Sequence, residues 1–162
     1  RPCARLISLA RSIIVPVIYT RYMFRSDYLD GGLMVHELMP ALKTGKTLIS
    51  GSWDVEVVEE LAPVDGDFII DKNRPSSFFG TNLDATLKNL HVENLIVCGV
   101  TTNCCVETTV RDASQRDYRT FVVGDAVAEY EDDRHEIALR SMAMLFAHVV
   151  TTADIEEAWK SR

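Results

Sequence analysis

The 162-residue sequence has no run of ~18 uninterrupted apolar residues, so nothing in it reads as a membrane-spanning helix. It has no basic block either, since 17 Lys and Arg stand against 24 Asp and Glu for a net charge of −7. Neutralising a phosphate backbone needs clustered cations, which argues against nucleic acid as the main partner and for a small molecule. The four cysteines, Cys3, Cys98, Cys104 and Cys105, form no CxxC pair and lack the density of a secreted disulfide scaffold. Free thiols in a reducing cytoplasm are the expectation. The four histidines, His36, His91, His135 and His148, show no i, i+4 pairing and no nearby cysteine, so metal-ligand spacing is missing too. Neither an initiator methionine nor a signal peptide opens the sequence, and no repeat or linker divides it.

What is present is an ordinary globular mixture, 47% apolar and 25% charged, in a length that suits one domain over residues 1–162. The first residues already carry a helical pattern, with Leu6, Ile7, Leu9, Ala10, Ile13 and Ile14 on one face and Arg1, Arg5, Ser8, Arg11 and Ser12 on the other. The sequence therefore reads as a domain whose beginning is missing.

Five short apolar runs predict strands: Val15 to Arg21, Asp67 to Lys72, Asn94 to Val100, Thr120 to Ala126 and His148 to Thr152. Helical patterns follow at Leu83 to Leu90, Asn103 to Arg116, Asp132 to Phe146 and Ala153 to Trp159. Alternation of this kind indicates a parallel sheet covered on both faces. Residues 22 to 62 are less regular and read as an excursion over one end of the sheet.

Open parallel sheets bind ligands beyond the carboxyl ends of their strands. That rule selects Thr20 and Arg21, Lys72 to Phe79, Val100 to Cys105, and Asp125. Within "GVTTNCCVETTVRDA" (Gly99 to Ala113), Thr102 or Asn103 suits an N-cap, and either choice places both adjacent cysteines in a first helical turn. A thiol there has its thiolate stabilised by the helix end, and the same N–H groups suit an oxyanion. Helical spacing does not separate Cys104 from Cys105. Val106, Val110 and Ala113 form the expected sheet-facing stripe, and Cys98, in mid-strand, is expected in the core. Lys72 ends its strand at the same edge of the sheet, with Asp71 turned to the opposite face.

"KNRPSSFF", "GVTTNCCVETTVRDA" and "FVVGDAVAE", in that order, resemble segments of the isochorismatase-like family of cysteine hydrolases. The resemblance implies a Rossmann-like α/β three-layer sandwich with a mostly parallel sheet of order 3-2-1-4-5-6, whose first strand is absent from this chain. It places Cys105, the cysteine followed by Val106, at the nucleophile position and Lys72 at the family lysine. It also implies an oxyanion hole from the backbone N–H groups of Thr101 and Cys105, and a cis peptide at Val100–Thr101.

The implied reaction is acyl transfer through a thioester, with no cofactor. The family's catalytic aspartate ends the strand that this sequence lacks. Nicotinamidases of the family bind a metal through an Asp-x-His, but "YTRYMFRSD" holds none, so no metal is expected. A cysteine where isochorismate hydrolases have glycine argues for amide cleavage, and the motifs are most similar to those of ureidoacrylate, biuret and N-carbamoyl amide hydrolases. Arg21, Trp53, Arg74, Phe79 and Asn103 are the candidate substrate-binding residues, and Trp53 and Phe78 suit the core equally well. A homo-oligomer is implied by the family alone. Two readings remain open, a cysteine amidohydrolase recorded incompletely and a truncated, inactive paralogue with a binding role.

Overall fold

The computed structural model describes residues 2–160. Helix α1 (Pro2–Ser12) buries Leu6 and Ala10 and leads into strand β1 (Ile18–Tyr22). The helical pattern in the sequence runs on to Ile14, but the helix ends earlier. Ile14 adopts φ 59° and is almost fully exposed, while the Val15 N–H closes the last turn on the Ala10 carbonyl. Pro16 biases Val15 towards extended backbone, so the chain leaves the helix through a left-handed residue.

Strand β2 (Phe68–Lys72) pairs with β1 in parallel, from Ile18 opposite Phe68 to Tyr22 opposite Lys72. Strands β3 (Asn94–Val100), β4 (Arg119–Ala128) and β5 (His148–Val150) form a second parallel sheet in the order β3-β4-β5. Among the described residues β1 and β3 are not paired, and a mainly apolar cleft lined by Ile18, Thr20, Ile96, Cys98 and Val100 lies between them. The orders β2-β1 and β3-β4-β5 correspond to positions 3-2 and 4-5-6 of the expected sheet.

The excursion of residues 22 to 62 has a small core of its own, in which Phe24, Tyr28 and Val35 are buried against Leu42, Leu48 and Ile49. It includes α2 (Ala41–Thr44), and the Tyr28 hydroxyl fastens it by donating to the carbonyls of Leu42 and Thr47. The remaining helices are α3 (Leu83–Asn89), α4 (Glu107–Ser114), α5 (Asp132–Leu145) and α6 (Thr152–Lys160).

Three layers result. On one face Leu83 and Leu87 of α3, Val110 and Ala113 of α4, and Ala138 and Met142 of α5 pack against Ile70 and Val122. On the other, Leu6 of α1 and Ile155 of α6 cover Val123 and Ala126, with Cys98 packed beside them as expected. Adjacent Val122 and Val123 face opposite layers because successive strand side chains alternate, which is why these strands read as continuous apolar runs. Among the described residues no helix is long and apolar enough to cross a membrane.

Candidate active site

The β3 to α4 junction differs from a simple first helical turn. The register of β3 with β4 slips between Val97 and Gly99, and Gly99 takes φ +115°, a conformation open mainly to glycine. The Val100–Thr101 peptide is cis. Thr101, extended, precedes a wide π-type turn over Thr102–Val106, and α4 begins only at Glu107. Thr101 thus stands at the N-cap position expected of Thr102 or Asn103. Thr102 is instead fully buried, its Oγ1 2.9 Å from His135 Nδ1 on α5. The Asn103 N–H is held by Glu129 at 3.2 Å.

Lys72 meets this turn from the end of β2. Alternation along the strand exposes Asp71 and turns Lys72 inward, to 5% exposure. Its Nζ donates to the carbonyl oxygens of Pro75 (2.9 Å) and Arg74 (3.1 Å) and to Cys105 Sγ (3.2 Å). The same ammonium lies 4.3 Å from the centroid of the Tyr22 ring. No carboxylate among the described residues forms an ion pair with it. A buried ammonium without a counter-charge is costly, and ionisation of the Cys105 thiol would supply one.

The Cys105 thiol is pushed down from an ordinary 9.0 to about 6. The hydrogen bond from the neighbouring Cys104 thiol contributes most, followed by the charge and hydrogen bond of Lys72 and then the Thr101 backbone amide, all against the opposing effect of burial. The same contact drives Cys104 upward, so it stays a neutral donor. The two cysteines that spacing does not separate differ in their surroundings: Lys72 donates a hydrogen bond to Cys105, and its charge reaches Cys104 without one.

The side chains of several other expected residues are engaged away from Lys72 and Cys105. Arg21 shares β1 with Tyr22 but points the other way, its guanidinium bidentate on Asp71 and bonded to Glu56. Asp125 caps the start of α6 by accepting from the Thr152 N–H and hydroxyl. Trp53 is 89% exposed, which excludes the core alternative for it, whereas Phe78 is buried core. Arg74 Nη1 is committed to the carbonyls of Asp30 and Asn73, and Phe79 is largely exposed. Tyr22 lies one residue beyond the strand end expected at Arg21, because the strand runs to Tyr22. Its position opposite Lys72 in the strand pair is the signal that finds it. Among the described residues no group of three or more His, Cys, Asp or Glu could hold a metal ion.

A buried ammonium and a thiol inclined to ionise meet where parallel strands end and a helix begins, an arrangement suited to nucleophilic catalysis by cysteine. The isochorismatase domain matches residues 1–154. The ureidoacrylate amidohydrolase RutB of Azorhizobium caulinodans is 31% identical over 169 residues, covering 96% of this chain and 74% of that protein. A cysteine hydrolase from Pseudomonas syringae pv. phaseolicola superposes with a TM-score of 0.91 at 37% identity, over 99% of this chain and 79% of its own. The N-carbamoylsarcosine amidase of Thermoplasma acidophilum gives 0.79 at 28% identity, over 93% and 80%. This chain spans 65–74% of the length of the ureidoacrylate amidohydrolases from Azorhizobium and Methylobacterium that it matches. The chain belongs to the isochorismatase family and is a hydrolase of that family.

Proposed function

We propose that this protein is a cysteine amidohydrolase that cleaves the C–N bond of a small ureido or carbamoyl amide and releases ammonia. The observation that carries this reading is the 3.2 Å contact between Lys72 Nζ and Cys105 Sγ, beside a thiol already inclined to ionise. The names of the relatives supply the substrate class: ureidoacrylate for one and an N-carbamoyl amide for another.

In this mechanism the Cys105 thiolate attacks the carbonyl carbon. The oxyanion that forms is held by the backbone N–H groups of Thr101 and Cys105, donors that act where charge develops. Collapse breaks the C–N bond, and the departing nitrogen takes a proton to leave as ammonia. The aspartate implied by the family resemblance would take that proton from the Cys105 thiol as the thiolate forms and deliver it to the nitrogen. A thioester then joins the acyl group to Sγ, and attack by water frees the acid and restores the thiolate. For a terminal ureido group, water and substrate give ammonia and a carbamate. Lys72, buried against carbonyls and the Tyr22 ring, keeps Sγ anionic at the start and at the end of the cycle.

The test is ammonia release from ureidoacrylate, biuret and N-carbamoyl amino acids, measured with the wild type and with Cys105→Ala. Turnover of at least one compound that is lost in the variant is the expected result. A folded protein with a titrating Cys105 thiol and no ammonia from any of them would overturn the substrate reading and favour a binding role.

A further inference from the structure

The loop after β2 places the two carbonyls that grip Lys72, those of Arg74 and Pro75, directly before two buried serines. Ser76 and Ser77 are 4% and 3% exposed, and hydroxyls so buried require partners. Both partners lie on α4. The Ser76 hydroxyl donates to the Asp112 carboxylate, whose other oxygen accepts from Arg116 at 3.1 Å. The Ser77 N–H donates to Thr109 Oγ1 at 3.0 Å, and the two hydroxyls of that pair meet at 3.2 Å. Thr109 and Asp112 lie on α4, which begins two residues after Cys105, so the turn that carries the thiol runs directly into the helix that holds both anchors of the loop, and Cys105, Thr109 and Ser77 line one cleft.

We infer that Ser76–Asp112 and Ser77–Thr109 form a positioning clasp that fixes the Lys72 ammonium against the Cys105 sulfur. Lys72 has a long, flexible side chain, and a contact at 3.2 Å requires its carbonyl grip and the thiol to share one rigid frame. A hydroxyl bonded to a carboxylate is among the stronger contacts available for that purpose. Asp112 and Thr109 touch no reacting atom; they act through the loop. The inference rests on the pairing of Cys105 with Lys72 but not on any substrate.

The experiment is the pH dependence of Cys105 alkylation by iodoacetamide, assigned by peptide mass mapping, in the wild type, Asp112→Asn, Thr109→Val, Ser76→Ala and Lys72→Ala. Far-UV circular dichroism verifies folding, and the first two substitutions are close to isosteric, so at least one readable variant is expected. Each clasp variant should raise the midpoint towards that of Lys72→Ala by about one unit, a roughly tenfold slower reaction on the acid side. Ser76→Ala combined with Asp112→Asn should shift it no further than either alone, because the two act as one contact. Folded Asp112→Asn and Thr109→Val proteins with the wild-type midpoint would overturn the clasp, as would a Lys72→Ala midpoint that does not move. If the midpoints shift as described while no ureido compound is hydrolysed, the clasp stands and only the substrate reading fails.

Discussion

Lys72, at the end of β2, and Cys105, in the turn that follows β3, lie 33 residues apart in the chain and meet with Nζ 3.2 Å from Sγ. The contact is buried on the lysine side and flanked by the Tyr22 ring, so the attraction is screened by little water.

If Cys105 is the nucleophile, Cys105→Ala should lower turnover by several orders of magnitude, whereas Cys104→Ala should retain it. Loss of Cys104 removes the hydrogen bond that lowers Cys105 most, so its activity should recover fully only at higher pH. Steady-state rates of both variants across pH test the assignment, and the reverse pattern would make Cys104 the nucleophile.

Lys72→Ala is expected to reduce the maximal rate by about 10²–10³-fold, the scale of losing one preorganised electrostatic group. Wild-type kinetics in this variant would remove Lys72 from the chemistry.

The acid limb follows from the Cys105 thiol, which sits at about 6 rather than the usual 9.0. Only the thiolate reacts, so both alkylation and turnover should be full above that value and fall as pH drops through it. An inactivation profile centred near 9 would show that the fold does not lower this thiol.

Chelators should leave turnover intact, since the proposed steps involve no metal ion. Activity lost on prolonged incubation with a chelator and restored by a divalent cation would contradict that mechanism.

Met142 of α5 is fully buried in a cluster with Val106, at the end of the turn that carries Cys105, and Val122. Met142→Ala should cost about 2–5 kcal/mol of unfolding free energy, measured by urea denaturation. A loss under 1 kcal/mol would mean the site collapses around the cavity.

By itself the sequence determined the alternation of strands and helices, because apolar runs such as "NLIVCGV" have few other ways to be buried. It also determined the stripe Val106, Val110 and Ala113, since helical spacing alone selects one face. Through motif resemblance it named Lys72 and Cys105. Tertiary structure decided what depends on which groups meet across the chain. It turned Tyr22 rather than Arg21 towards Lys72, because adjacent strand residues face opposite ways and Asp71 binds Arg21 on the far side. It committed Asp125 to α6 and Ser76 to Asp112, contacts with no local signature. It also distinguished two identical neighbouring cysteines, because the Lys72 ammonium that donates to Cys105 Sγ comes from a strand end 33 residues away in the chain, beside the local donors of the turn.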